Sequence, residues 1–527
     1  MSARERLIAV ALAMIVAAMI TGIKCVHVGL LQGDTAAFLQ AAESAATDGR
    51  AESQVFAGTQ AYLDARYARK SPAVFATDPL APPAIEERSF VRYHADFVLY
   101  PLGFIAKVFP TLLVLLTVCA LSFVGLVLLA YWALRRARVP VPASLLFCAL
   151  IVAAPAWSQG SLFGQFFPDR MFLAVGFAFM LCIGRSGSSR LAQILLGVLC
   201  LLINERAALT AGGFALLYAG LYRNIPSRER IFKAALGGAL VTYGLVMIVA
   251  VLNDHQYGVF LPTSVDRLVA TFSRAGFVEM AGLYLLVCMP FLILAAFDWR
   301  AGVIALVMML PNILGNYGGA EKLAWPVHYH SYDFPTLVWA AMTGFICGVR
   351  IVPATRRGLY YATPAVLAAF LIVLDPNSYD HLQISPAEVG SSFFAEFPRE
   401  AIADLSPSGL EAVHLGDPLR ATIPVGATAT TVEGAMSQLY RGRTLRIFPI
   451  GIDQADYAVV NDYGPSVPAM RYRGTPHFGP PAVAHAVDAV IYARMKRDGY
   501  DFAHAVEVPA LGLAIVKRVS ALRAAIR

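Results

Sequence analysis

Residues Thr111 to Leu134 read TLLVLLTVCALSFVGLVLLAYWAL, a run that has no charged residue and is long enough to cross a bilayer as one helix. In hydrocarbon the backbone must satisfy its own hydrogen bonds, which only helices and closed barrels achieve. An uninterrupted apolar run lacks the alternation of a barrel strand. This stretch therefore predicts a transmembrane helix, and similar runs recur from residue 7 to residue 374.

The whole chain has the composition of a membrane protein. Hydrophobic residues make up 58% of it, charged residues only 15%, and the mean hydropathy is +0.61, whereas about a quarter of a soluble domain is charged. The seven cysteines lie in or beside apolar runs, where a thiol packs as a small hydrophobe, so no disulfide framework is predicted. The net charge of +7 is better explained by membrane orientation than by a nucleic-acid partner.

The apolar runs predict a polytopic α-helical membrane protein with about eleven transmembrane helices. The first run is interpreted as a retained helix and not as a cleaved signal peptide. The second run is expected to hold a surface helix followed by a span, and the fifth and sixth could instead form one broken hairpin that does not cross. The predicted spans are 7–31, 98–134, 141–156, 171–184, 191–203, 207–222, 234–252, 278–297, 301–314, 334–349 and 359–374.

Basic residues are concentrated in alternate connections, and this bias predicts the orientation because Lys and Arg resist translocation. With a cytoplasmic N-terminus, an odd number of spans places the C-terminus outside. The predicted cytoplasmic connections hold Arg135, Arg136, Arg138, Arg185, Arg190, Arg223, Arg228, Arg230, Lys233, Arg300, Arg350, Arg356 and Arg357.

A second domain is predicted after the last span. We divide the chain into a transmembrane domain at 1–377, which includes an outer loop at 32–97, and an extracytoplasmic α/β domain at 378–527. The second domain has strand-like runs at 427–431, 444–450, 457–460 and 510–517, with helices expected at 433–440 and 482–497.

Asp34 lies just after the first predicted span, in the outer loop. A carboxylate at a membrane interface could act as a general base toward an acceptor hydroxyl. Alternatively, Asp34 could be the N-cap of a helix predicted at 35–46. The two roles are compatible.

Three further outer connections bring charged or imidazole side chains close to a span. Arg92 and His94 could bind a phosphate, or could belong to an interfacial anchor belt. Two acid–Arg pairs stand at other outer turns and could bind ligand or merely form local ion pairs. These pairs are Asp169 with Arg170 and Glu205 with Arg206.

The densest polar cluster, WPVHYHSYD at 325–333, precedes a late span. Its histidines, His328 and His330, could bind a metal with Asp333, although the spacing is not helical and no cysteine set accompanies them. Hydrogen bonds to a sugar or headgroup are an alternative, and aromatic anchoring is another. The sequence has no Walker loop, zincin motif or nucleophile elbow, so ATP-driven transport is not supported.

The order of these motifs resembles the GT-C glycosyltransferase superfamily and, more narrowly, a bacterial predicted-membrane-protein family labelled domain of unknown function 2079. The features that are similar to the narrower family are Asp34 with Phe38 and Gln40, His94, Asn204-Glu205-Arg206, His328-Tyr329-His330, and the exterior segments 423–427, 443–449 and 455–460. The chain departs from that family at Leu39 and Arg206, where acids are common, so a two-carboxylate metal site is not expected.

The resemblance implies glycosyl transfer from a polyprenyl-phosphate-linked sugar to a glycan, lipid or protein acceptor at the outer face of the bacterial inner membrane. It implies Asp34 as the catalytic base, with a divalent cation left open as a cofactor. The alternative is a non-catalytic transporter or scaffold. The implied substrate-binding residues are Gln40, Arg92, His94, Asp169, Arg170, Glu205, Arg206, His328, Tyr329 and His330.

Overall fold

A computed structural model describes residues 2–26, 33–55, 94–162, 166–252, 265–273, 277–314, 330–373, 417–461, 490–508 and 513–519. Contact clustering divides the chain into two compact units. The first unit comprises Met1–Gly22, Val91–Val98 and Leu115–Arg399. The second comprises Ile23–Phe90, Leu99–Val114 and Glu400–Arg527.

Most of the described residues are helical. The helices of the N-terminal half are α1 (Ala3–Val26), α2 (Gly33–Thr47), α3 (Leu99–Ala106), α4 (Thr111–Arg136), α5 (Val141–Ala153), α6 (Pro155–Leu162), α7 (Phe172–Ile183), α8 (Arg190–Ile203), α9 (Glu205–Leu221) and α10 (Ser227–Val246). They are followed by α11 (Val265–Phe272), α12 (Phe277–Ala295), α13 (Trp299–Leu314), α14 (His330–Ile351), α15 (Arg357–Val373), α16 (Asp417–Thr422), α17 (Glu433–Leu439) and α18 at residues 490–497.

Within the described part of the chain, four helical stretches are long and apolar enough to cross a membrane: Ala3–Gly22, Thr111–Arg136, Ser227–Val251 and His330–Ile351. The predicted count of eleven spans is therefore wrong. Several predicted spans fold as apolar helices of 10–17 residues, and at about 1.5 Å per residue these are shorter than the roughly 30 Å hydrocarbon layer. Apolar character was visible in the sequence, but helix length was not.

Two predictions about single runs can be compared with the helices. The run 98–134 was expected to hold a short helix followed by a span, and α3 and α4 confirm this division. The run 191–222 is broken at Asn204, whose backbone is extended between α8 and α9. The 14 and 17 residues of these two helices correspond to about 21 and 26 Å.

Close backbone approach joins α9 to α10 in the first unit. A Cβ atom added at Gly237 would lie 2.8 Å from the carbonyl oxygen of Gly212, and one added at Gly212 would lie 2.7 Å from that of Gly237. Small residues allow such contact between apolar helices, where van der Waals packing takes the place of the hydrophobic effect.

The predicted cytoplasmic ends of several helices contact one another. The Lys233 ammonium donates to the carbonyl oxygen of Ile183 (2.5 Å) and pairs with Glu229 (2.7 Å). The Tyr222 hydroxyl donates to Asp298 (2.7 Å), and Arg135 pairs with Glu5 (2.8 Å). Each of these contacts lies at a helix end that the basic residues of the sequence assign to the cytoplasmic side.

The second unit contains a five-stranded mixed sheet in the order β2-β1-β3-β5-β4. Strands β2, β1 and β3 run parallel, whereas β5 is antiparallel to both β3 and β4. The strands are β1 (Thr428–Thr431), β2 (Thr444–Ile447), β3 (Tyr457–Asn461), β4 (Tyr500–Val508) and β5 (Leu513–Arg518).

The four strands predicted in this domain, and the helix between the first two, are confirmed. Strand β4 was missed because it lies at the sheet edge with several exposed positions, so its sequence lacks a clear apolar alternation. The helix predicted at 482–497 is confirmed as α18 over 490–497, and its earlier residues lie outside the described part.

Contact clustering assigns Ile23–Phe90, which includes the segment after the first helix, to the same unit as this sheet. The Gln40 amide in α2 donates to the carbonyl oxygen of Arg443 (3.2 Å), and its oxygen accepts from the Ser53 hydroxyl (3.2 Å). Arg441 pairs with Glu43 (3.3 Å). Gln40 therefore holds two distant chain segments together.

The glycine contact between α9 and α10 can be tested with adjacent substitutions. Gly237→Ala should lower the melting temperature, because the new methyl group meets backbone on α9 and overpacking costs about 1–3 kcal/mol. Gly238→Ala is the matched control, since a Cβ there meets nothing within 4 Å. Equal thermal unfolding curves for the two variants in detergent would contradict the packing.

Candidate functional site

The site lies in the first unit, where four chain segments meet around Glu205. The segment that begins at His94 is held against α8 and α9, because the amide of Val98 donates to the carbonyl oxygen of Leu202 (2.6 Å). Glu205 Oε2 accepts the amide hydrogen of Ala95 (2.9 Å), and Oε1 lies 3.2 Å from His94 Nδ1. Both oxygens of this fully buried carboxylate are thereby engaged.

Asn204 connects the start of α9 to two other segments. Its side-chain oxygen caps the helix by accepting from the amide of Ala207 (2.8 Å). Its side-chain nitrogen donates to an Asp169 oxygen and to the hydroxyl of Tyr332 (2.6 Å). The Tyr332 hydroxyl donates to the same Asp169 oxygen, which closes a three-membered hydrogen-bond network.

Asp96 is the carboxylate of the cluster that is least committed to other groups. The residue is 2% exposed, and neither of its carboxylate oxygens makes a hydrogen bond of normal geometry to the described residues, although the Asn204 side chain is close enough to lower its pKa. A buried ion without partners costs several kcal/mol, so such a group becomes neutral or meets a ligand.

Burial raises the pKa of Asp96 well above its usual range, and the nearby charges of Glu205 and Asp169 raise it further. Burial also raises the pKa of Asp169, against the opposing effect of the Arg206 guanidinium. Carboxylates that interact this closely share protons and do not titrate independently. The cluster is thus suited to holding and exchanging a proton.

The cluster reaches the protein surface through two neighbours, His94 and Arg206. The His94 side chain is 25% exposed and that of Arg206 is 14% exposed, while Arg206 Nε lies 3.9 Å from Glu205 Oε1. The remaining acids are almost completely buried. A ligand that approached the acids would therefore pass the imidazole and the guanidinium.

The first turn of α14 attaches this region to two more neighbours. Ser331 accepts from the Arg170 guanidinium (3.4 Å), which also lies over the ring of Phe123. Asp333 accepts from the hydroxyl of Tyr284. Arg170 is fully buried, and these two contacts are with residues of neighbouring helices.

His330 stacks on the ring of Tyr284, with ring centroids 5.5 Å apart, and its Nδ1 lies 3.9 Å from Asp333 Oδ1. It is 1% exposed. The structure thus places His330 beside Asp333, as the dense 325–333 cluster suggested, and in the interior of the helical unit.

The other predicted site residues are distributed differently. Asp34 is the second residue of α2, so it is not the N-cap of that helix, and its side chain lies outside the described residues. Gln40 belongs to the second unit. Arg92, His328 and Tyr329 also lie outside the described residues, so their predicted roles stay predictions.

Sequence reasoning identified His94, Asp169, Glu205 and Arg206, but it did not assign roles to Asp96, Asn204 or Tyr332. Their importance comes from contacts between segments more than a hundred residues apart. Asp96 had one signal, its position two residues after His94 where the chain re-enters the apolar region.

Within the described part of the chain, no group of three or more His, Cys, Asp or Glu side chains is arranged to hold a metal ion. No protein-family model matches the sequence, and comparison with curated proteins finds no similar one. The chemistry of this region must therefore be argued from its own side chains.

Two substitutions separate the contribution of the Asn204 network to stability from that of an ordinary helix cap. Asn204→Ala should lower the melting temperature more than Ser189→Ala, because both remove an N-cap worth about 1 kcal/mol but only the first also removes the hydrogen bonds that Asn204 donates to Asp169 and Tyr332. Ser189 is an exposed cap of α8 and serves as the control. Equal losses in the two variants would show that the network adds nothing.

Proposed function

We propose that this protein transfers a glycosyl unit from a polyprenyl-phosphate-linked sugar to an acceptor at the outer face of a bacterial inner membrane. The observation that carries the proposal is the buried cluster of Asp96, Asp169 and Glu205, which borders on a partly exposed imidazole and guanidinium. Acids of this kind can hold sugar hydroxyls and take up the proton that an acceptor releases.

The placement of the cluster along the helices supports an interfacial site. In α7 and α9 the cluster stands at the N-terminal end, whereas Ile183 and Tyr222 mark the opposite, basic end. If the basic end is cytoplasmic, as the positive-inside rule predicts, the cluster faces outward. A lipid-linked donor presents its sugar at the same depth.

The second unit supports the same orientation. The proposal places both the outer loop and the C-terminal domain outside the membrane, so that they share one aqueous compartment. With four long spans in the described part of the chain, this placement requires that an odd number of the shorter apolar helices also cross. The hydrogen bond between Gln40 and Arg443 and the pair of Glu43 with Arg441 fit a shared compartment. A role for the second unit in acceptor binding follows as part of the proposal.

The cationic residues define which part of the donor the site would bind. Glu205 contacts His94 and lies near Arg206, and Arg170 is enclosed by Ser331 and Phe123. In the proposed complex, Arg206 and His94 contact the donor phosphate at the rim, and the acids bind hydroxyl groups beyond it.

The rival interpretation is a transporter or a scaffold without chemistry. A transporter places ionisable groups or broken helices near the bilayer midplane. In α4, α7, α9 and α14 the charged side chains stand at or beside the helix ends. This distribution favours a reaction at the interface.

Donor consumption by the purified protein in lipid nanodiscs tests the proposal. We expect a member of a panel of radiolabelled polyprenyl-phosphate hexoses and pentoses to be consumed in the presence of a membrane extract that supplies acceptors. Glu205→Gln should lower the rate at least about 10-fold, because the amide can no longer pair with both His94 and the Ala95 amide as a carboxylate does.

The matched control is Glu507→Gln, the same change at an exposed position of β4, which should keep the wild-type rate. Solute flux into vesicles without consumption of any donor in the panel would reject glycosyl transfer and support the transporter.

A further inference from the structure

We propose that Asp96 is the catalytic base of the transfer. This inference rests on the proposed function and changes the assignment made from the sequence, in which Asp34 held that role. The side chain of Asp34 lies outside the described residues, whereas Asp96 lies inside the cluster that the structure describes.

Of the three clustered acids, Asp96 is the best candidate for the base, because the other two are committed to hydrogen bonds. Glu205 uses one oxygen toward His94 and the other toward the Ala95 amide. Asp169 accepts from both Asn204 and Tyr332. Both oxygens of Asp96 are buried, and neither makes a hydrogen bond of normal geometry to the described residues, although the Asn204 side chain is close enough to lower the pKa of Asp96. Asp96 is therefore the acid of the three that is least committed to other contacts.

The surroundings of Asp96 suit a base that works near neutral pH. The charged and titratable groups that act on it are Glu205 and Arg206 from the start of α9 and Asp169 from the turn before α7. His94 lies two residues before it and is held by Glu205. The two acids raise its proton affinity and the guanidinium moderates it, which is how a weakly basic carboxylate becomes an effective base.

The proposed step balances without a further reactant. The acceptor hydroxyl gives its proton to the Asp96 carboxylate, and its oxygen forms a bond to the anomeric carbon of the sugar. The bond between that carbon and the donor phosphate oxygen breaks, and its electron pair leaves with the polyprenyl phosphate. Asp96 then returns the proton to water past His94, which is partly exposed.

Asp96→Asn in the nanodisc assay tests the assignment with a side chain of the same shape. Consumption of the donor should fall at least about 100-fold, the lower limit of a general base contribution. The control is Asp266→Asn, the same change at an exposed position of α11, which should keep the wild-type rate.

The pH dependence supplies a readout that a structural role would not change. Because the base must be ionised, the wild-type rate should rise as the pH increases through the pKa of Asp96, and this limb should be absent from the residual activity of Asp96→Asn. Asp96→Glu should restore activity, with the rise in rate moved to a different pH. If Asp96→Asn does not fold, this variant tests whether Asp96 is the base.

The possible failures are distinguishable. A wild-type rate and an unchanged pH limb in Asp96→Asn would overturn the assignment and leave glycosyl transfer standing. If only Asp34→Asn loses the rise of rate with pH, the catalytic base is Asp34 and not Asp96. If the wild-type protein consumes no donor, the proposed function itself fails, and the inference fails with it.

Discussion

The break at Asn204 is the constraint on which the rest of the site depends. The extended backbone there ends α8 and starts α9 after a single residue, and the side chain caps the new helix. Because the amide also donates to Asp169 and Tyr332, the same residue orients two other segments. Glu205 follows directly and fixes the segment that carries His94 and Asp96.

The stability of a buried polar network of this kind depends on whether each buried acid has hydrogen-bond donors. Each paired acid is satisfied by two donors, as Asp169 and Glu205 are, and satisfied networks tolerate a low dielectric. Asp96 departs from the pattern because neither of its oxygens makes a hydrogen bond of normal geometry within the described part of the chain. In a network that is otherwise complete, the unsatisfied member is the natural place for a substrate.

How well each feature could be predicted depends on whether local or long-range interactions create it. Apolar runs and strand runs are local, so the helical unit and four of the five strands of the sheet could be predicted from the sequence. Helix length in the folded unit depends on packing and on breaks such as Asn204, and the predicted number of spans was therefore wrong. The edge strand β4 escaped prediction because exposed positions interrupt its pattern.

The sequence predicted which residues belong to the candidate site better than it predicted how these residues contact one another. His94, Asp169, Glu205 and Arg206 stand out as polar residues beside apolar runs, and three of them make direct contacts in one cluster with Asn204 or Glu205. Whether each side chain is exposed or buried depends on long-range contacts, which cannot be read from a single sequence. Arg170 appears equivalent to Arg206 in sequence, yet only Arg206 retains exposure.

The central claim is that an apolar helical unit uses this polar cluster to bind a lipid-linked sugar. Native mass spectrometry of the protein released from nanodiscs, after incubation with polyprenyl-phosphate sugars and excess phospholipid, tests it most directly. We expect a polyprenyl-phosphate species to stay bound to the wild type and to be reduced in Asp96→Asn and Glu205→Gln. Retention of bulk phospholipid alone, or equal retention of the donor by all three proteins, would contradict it.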